Sequence, residues 1–405
     1  MFHYHTLSNG LRIVFSPHQS SVIYSGVYIN VGSRDERGEE EGIAHFIEHS
    51  IFKGTEHRRA YHILNRIDGV GGELNAFTTK EETCIYASST KEHLARCLQL
   101  FADVLFHSVF PQHEIEKEKD VVVEEINSYR DTPAEQIYDD FEELFFAGHP
   151  LAHNILGSKQ NVRRFTPERL RRFMSDHYTP ERMVVTVVGD VPFARLVKLC
   201  ERYFGDYTAH SVEDRRAEVP SPRRFSQRVN RHTHQAHLMV GCSAPGIFDE
   251  DKVPFTLLNN LLGGPAMNSR LNVAIRERHG FCYTIESQYV PFSDTGLFYL
   301  YAGVETEAQD RAVELIVREL QRLCESPLTA AQLKAAQRQL MGQMAVNNDM
   351  SINEMQSIGK AYLNFDHVDT LEEMNRDILQ VTTADVQRVA NRYLNRDELS
   401  LLVYN

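Results

Sequence analysis

The spacing of apolar positions changes along the chain, and each change marks an element. Leu11 to Phe15 and Ser21 to Val31 are apolar-rich stretches of strand length, and Ser8, Asn9 and Gly10 ahead of the first form a turn signal, so the chain reads as opening on a hairpin. Between Gly42 and Phe52 the pattern becomes helical, with Ile43, Phe46 and Ile47 on one side. Tyr61 to Ile67 continues as helix, Gly69, Gly71 and Gly72 mark a turn, and Ala76 to Ser88 is rich in strand formers. Ser89 with Glu92 has the spacing of a capping box ahead of a stripe through Leu94, Cys97, Leu98, Phe101 and Leu105, which core packing explains. After Pro111, EIEKEKDVVVEEINSYRD reads as a long helix with Ile115, Val122 and Ile126 inward. Thr166-Pro167-Glu168 is a further helix start, and Met183 to Val188 is an almost unbroken apolar strand ending at Gly189-Asp190.

Charges and the prolines Pro220 and Pro222 then break the pattern from Tyr207 to Arg231, which reads as a linker. The second half repeats the same grammar: a strand from Gln235 to Val240, a helix from Pro254 to Leu262, a Gly263-Gly264 turn and a strand from Gly296 to Val304. Thr306 with Gln309 and Thr329 with Gln332 have capping-box spacing ahead of two more helices, the first with Val313, Ile316, Val317, Leu320 and Leu323 on one side. These elements predict an α+β protein of two similar domains, with helices on antiparallel or mixed sheets: residues 1–206, a linker 207–231 and residues 232–405.

The length of 405 residues fits that division, and by size scaling about three quarters of the unfolded chain's surface can be buried without staples. A net charge of −13 argues against a broad nucleic-acid-binding face. The six cysteines are scattered without a CxxC pair, so they outline neither a disulfide framework nor a cysteine metal site, and a reducing compartment fits best. With no leader-like N-terminus and no long apolar run, the expectation is a cytoplasmic protein with no membrane association.

The chemistry concentrates in His45-Phe46-Ile47-Glu48-His49. On a helix His45 and His49 share a face and can meet one ion, while Glu48 faces the same place. This is the inverted order of a zinc-peptidase motif, in which the carboxylate moves a proton between water and the leaving amine. A catalytic zinc site needs a third protein ligand, and Glu118, Glu124 and Glu125 are candidates that spacing alone does not separate. Otherwise their charge-rich run would read as a solvated helix face.

The stretch GSRDERGEEEGIAHFIEHSIFKGT at 32–55, followed by GELNAFT at 72–78, EKDVVVEEI at 118–126 and RERHGFCYTI at 276–285, resembles the pitrilysin-type M16 metallopeptidases, especially the mitochondrial-processing-peptidase-like bacterial group. The ordered blocks cover essentially the whole chain. The resemblance implies one Zn²⁺ per chain held by His45, His49 and Glu125, with Glu48 as general base and Glu118 as an auxiliary acid that orients His49. It also implies a substrate strand at Asn75, Ala76 and Phe77, where extended peptide is bound through main-chain hydrogen bonds. Arg276 and Tyr283 would come from the second domain across a central cavity, the arginine to fix a substrate carbonyl or carboxylate and the tyrosine to assist the oxyanion. His57 and His62 match no ligand position and read as surface or second-layer residues. The implied function is a zinc metalloendopeptidase acting on short or unfolded peptides, working as a homodimer in a bacterial cytoplasm. The alternative is a noncatalytic peptide-binding or assembly subunit of the same fold.

Overall fold

The computed structural model describes residues 1–208 and 216–405, and the chain forms two compact units, each assembled from separate segments. Unit 1 comprises Met1–Asn127, His153–Arg216 and Val346–Thr370; unit 2 comprises Ser128–Ala152, Ala217–Ala345 and Leu371–Asn405. The compact units therefore differ from a split at 206 and 232, because 128–152 belongs with the later residues and 346–370 with the earlier ones.

In unit 1, β1 (His3–Thr6), β2 (Arg12–Pro17), β3 (Val22–Ile29), β4 (Glu73–Thr78), β5 (Thr83–Thr90) and β6 (Met183–Gly189) form one mixed sheet in the order β1-β2-β6-β3-β5-β4. The opening hairpin is β1 with β2, while β6 lies parallel to β2 and separates it from β3. That position suits β6, all seven residues of which are buried. Its side chains alternate between two cores. Met183, Val185 and Val187 join the core that contains buried residues of α1 (Ile43–Ser50), α2 (Ala60–Asp68), α3 (Leu94–Phe106) and α4 (Gln112–Arg130). Val184 and Val188 instead meet Met355, Ile358 and Leu363 of the helix Ser351–Phe365, which covers the opposite face. Thr186 Oγ1 donates to the Met355 carbonyl at 3.0 Å, and a Cβ at Gly359 would lie 2.6 Å from the Tyr28 ring, so glycine permits this close helix–sheet approach.

Unit 2 has a sheet of β7 (Ser226–Val229), β8 (Ala236–Ala244), β9 (Cys282–Pro291), β10 (Gly296–Val304) and β11 (Ser400–Tyr404), ordered β7-β11-β8-β10-β9. Residues of Lys252–Gly263, Gln309–Glu325 and Thr383–Tyr393 pack in one core, and Ile137, Phe141 and Phe145 of Pro133–Phe145 pack with Met239, Leu297 and Leu402 in another. The α+β architecture anticipated from the periodicity is thus present in both units.

The linker reading of 207–231 requires correction. Ser226–Val229 is an edge strand paired in parallel with β11; its first three residues are exposed, and half-buried Phe225 and Val229 pack against the second core of unit 2, so main-chain pairing orders this charged segment. Residues 209–215 of that stretch lie outside the described residues. Two anticipated helix starts also differ. Ser89 ends up inside β5, its hydroxyl directed to Cys97 Sγ at 3.4 Å and the Thr90 carbonyl at 3.2 Å, and a short 3₁₀ turn at Lys91–His93 precedes α3. Thr306 likewise begins a 3₁₀ turn, not a capped α-helix. Thr166 and Thr329 do cap: the Arg169 N–H donates to Thr166 Oγ1 at 3.4 Å, and Thr329 and Gln332 bond reciprocally at 2.9 and 3.3 Å.

Candidate metal centre

The eight-residue helix α1 is too short to be stable by itself and depends on tertiary support. Phe46 packs on Phe165 with ring centroids 5.3 Å apart, and Ile43, Ala44 and Ile47 are buried beside it. At its start Gly42 adopts φ 93°, where a Cβ would also meet the Leu156 carbonyl at 2.6 Å. Buried Glu36 completes the start: its two carboxyl oxygens accept the N–H groups of Gly42 and Ala44, each at 2.8 Å. These bonds place an acidic group where the helix has bare donors and a positive dipole end. Burial nevertheless pushes the Glu36 pKa well up, against the opposing effect of the two bonds.

That support fixes the face bearing His45 and His49, whose ring centroids are 4.6 Å apart. From α4, Glu125 Oε2 approaches to 3.4 Å from His49 Nε2 and 3.9 Å from His45 Nε2. Each of the three residues offers one ligand atom within 4.8 Å of the other two. The alternatives on α4 separate by direction. Glu124 is exposed and accepts from Asn127 Nδ2 at 3.2 Å, while buried Glu118 bonds His49 Nδ1 at 2.9 Å and Lys53 Nζ at 2.7 Å. Glu118 thereby favours the tautomer of His49 that leaves Nε2 available, as carboxylates do behind metal-binding histidines.

The donor set fits a zinc ion on two grounds. Glu125 Oε2 is a buried acceptor with no hydrogen-bond partner, an arrangement proteins avoid unless another group satisfies it. Two imidazole nitrogens with one carboxylate oxygen are also a catalytic-zinc donor set. His45 is kept neutral, as a ligand must be: burial, helped by the charge of His49, lowers its pKa to about 3. For His49 burial pulls downward, but the Glu118 bond and the charges of Glu125 and Glu48 raise the value overall. Glu48, half-buried beside this pair, has its pKa raised mainly by burial, with His49 and the Thr78 hydroxyl opposing and Glu125 adding to the rise.

Asn75, Ala76 and Phe77 lie on β4, the edge of the sheet, which pairs only with β5 among the described residues. One side of the strand is therefore available for strand addition. Asn75 Oδ1 accepts the Ala76 N–H at 2.8 Å, and Asn75 lines a cleft of about 750 Å³ together with Tyr24, Glu73 and Tyr86. Phe77 turns inward, edge-on to Tyr28 at 6.0 Å, so its side chain serves the sheet while its backbone remains on the edge.

Arg276 and Tyr283 belong to unit 2. Arg276 lies in a π-helical turn, Asn272–Glu277, a geometry frequent at functional sites, and its guanidinium is 5.5 Å from the centroid of the Tyr283 ring. Tyr283 is 85% exposed, unusual for a large aromatic side chain. The pair is thus assembled locally within its own unit.

Glu36 went unread in the sequence. It sits in an acidic stretch that looks solvated, and its signal was position: a carboxylate six residues before a helix that begins with glycine in place of a capping side chain.

Two α+β units, one presenting an inverted zinc-peptidase motif with a glutamate brought from a second helix, define a metallopeptidase-type scaffold. Residues 13–159 match the family described as insulinase (peptidase family M16), and residues 164–340 match the peptidase M16 inactive domain. The chain belongs to the M16 peptidase family. It is 34% identical over 403 residues to the uncharacterized zinc protease YmxG of Bacillus subtilis, covering 98% of this chain and 97% of that protein. It is 36% identical over 404 residues to an uncharacterized zinc protease of Mycobacterium tuberculosis, covering 96% and 90%. Among solved structures, a protease from Helicobacter pylori superposes with a TM-score of 0.91 at 24% identity, covering 100% of this chain and 99% of that one. A peptidase M16 inactive domain from Pseudomonas fluorescens gives 0.92 at 18%, covering 100% and 98%. No helix among the described residues is long and apolar enough to cross a membrane.

Proposed function

We propose that this protein is a zinc-dependent endopeptidase that hydrolyses short or unfolded peptides. The observation that carries the reading is the meeting of His45, His49 and the unpartnered Glu125 oxygen beside the half-buried carboxyl of Glu48. The zinc protease names of its bacterial relatives support the same reading.

Zinc bound by His45, His49 and Glu125 would supply Lewis acidity toward water and the scissile carbonyl. Glu48 removes a proton from the attacking water and returns it to the departing amine nitrogen. Glu118 holds the His49 ring through Nδ1. Substrate lies extended along the open side of β4, with its main chain bonded by the strand and Asn75 Nδ2 donating to a peptide carbonyl while Oδ1 keeps the Ala76 N–H. Arg276 and Tyr283 are assigned to substrate contact, the tyrosine to the developing oxyanion. The reading also takes the protein to be a homodimer of the bacterial cytoplasm, to be checked by sedimentation and cell fractionation.

Cleavage of a mixed library of unstructured peptides by native protein and Glu48→Gln tests the proposal. The variant should retain zinc and lose activity by about 10²–10⁴-fold, the usual scale of a general acid–base contribution. Zinc binding by a native protein that cleaves no peptide would overturn the enzyme and favour a peptide-binding subunit.

A further inference from the structure

Beyond α1, unit 1 carries a second group of metal-type side chains that the proposed reaction does not use. Thr55 and Ser108 form an isolated antiparallel bridge, locked by the Glu56 N–H on the His107 carbonyl at 2.9 Å and the Val109 N–H on the Gly54 carbonyl at 3.1 Å. The bridge sets Glu56 and His57 beside His107, just past the end of α3. Each of the three offers a ligand atom within 4.8 Å of the others. His107 Nδ1 is 3.3 Å from Glu56 Oε2, and the two imidazole centroids are 4.6 Å apart with the rings nearly perpendicular.

The remaining ring nitrogens are already committed. His57 Nδ1 lies 2.6 Å from Asp103 Oδ1, and that buried carboxylate is fixed by the Thr55 hydroxyl at 2.9 Å and by the Arg58 guanidinium. His107 Nε2 bonds the Tyr207 hydroxyl, and the Tyr207 ring stacks on Phe106 with centroids 3.7 Å apart. Each imidazole therefore has one nitrogen on a held outer partner and one left for an ion: Nε2 of His57 and Nδ1 of His107. This is how metal-binding histidines are oriented and made more basic. The group borders two surface clefts, of about 460 and 310 Å³, that share His107 and Tyr207 in their walls.

We infer that Glu56, His57 and His107 form a second metal site, for a divalent transition ion such as Zn²⁺, Co²⁺, Ni²⁺ or Cu²⁺. Two nitrogens and one oxygen disfavour Mg²⁺ and Ca²⁺, which take oxygen ligands. Three protein ligands leave a coordination position facing solvent. The side chains of Glu56 and His57 are 64% and 55% exposed, against 10% and 23% for His45 and His49, so more side-chain freedom is lost on binding. The second site accordingly fills after the first. An ion there ties the loop after α1 to the end of α3.

The test is calorimetric titration of zinc into the full chain already carrying one equivalent. Native protein should take up a second equivalent that excess Mg²⁺ does not displace. Its affinity should fall by more than about tenfold in His57→Asn and in His107→Ala, and survive in Glu125→Gln. His57→Asn alters an exposed residue and serves if His107→Ala fails to fold, which circular dichroism reveals. Saturation at one equivalent, or a second equivalent unchanged in His57→Asn, would overturn the site.

Discussion

At the scale of single residues, the centre depends on what stands behind the ligands. Glu118 touches no proposed ligand atom; it binds the far nitrogen of His49 and is itself held by Lys53. Glu118→Gln removes a charge and one acceptor while keeping the shape, and it should weaken zinc binding by about 10–100-fold, measured by competition with a chromophoric chelator. Unchanged affinity would mean that the orientation of His49 is fixed without it. Glu36 acts one step further out, since it bonds only backbone at the start of the helix that carries both histidines. Both groups act through geometry, but their bonds differ in strength: His49 and Lys53 outweigh the burial of Glu118, while the two backbone donors only partly offset that of Glu36.

At the scale of elements, the polar anchors between helices matter as much as the apolar stripes. In unit 2, Asp251 is fully buried at the start of the helix Lys252–Gly263, where its carboxylate is bound by Arg388, by Arg392 at 2.7 Å and by the Tyr393 hydroxyl at 3.4 Å, all from Thr383–Tyr393. Asp251→Ala removes the acceptor that these groups share; water can take over the two half-exposed guanidinium groups but not the buried Tyr393 hydroxyl, so the variant should destabilise the protein by about 1–3 kcal/mol in denaturant titration. A loss within experimental error would show the two helices to be held by packing alone. The same scale explains what the sequence could reveal. The HxxEH helix, the inward face of α4 and the almost unbroken apolar run of β6 were legible because each is a local pattern with one geometric solution. The partner of each apolar face was not: nothing local to Met355, Ile358 and Leu363 says that they cover the sheet of unit 1. Phe141 and Phe145 gave equally little notice of belonging to unit 2. The choice among Glu118, Glu124 and Glu125 was unresolved by spacing for the same reason; it depends on how α4 is rotated against α1. His57 read as a surface residue because neither Asp103 nor His107 is near it in sequence.

At the scale of the whole molecule, stability and metal chemistry give separate tests. His237 is buried in β8 with Nδ1 2.8 Å from the Tyr301 hydroxyl, and burial lowers its pKa below the usual imidazole value. The unfolded chain then binds a proton that the folded one does not, so this contribution is present above about pH 6.5 and lost as pH falls from there toward the lower folded value. Denaturant titrations from pH 7.5 to about 5 should show His237→Gln with a shallower loss of stability than native protein. Parallel curves would assign that slope to other groups. The metal centre is tested most directly by anomalous diffraction at the zinc edge from crystals of protein carrying one equivalent of zinc. A single strong peak is expected about 2.0–2.2 Å from Nε2 of His45, Nε2 of His49 and a carboxylate oxygen of Glu125, with Glu48 outside bonding distance. A peak elsewhere, or one lacking Glu125 among its ligands, would contradict that ligand set.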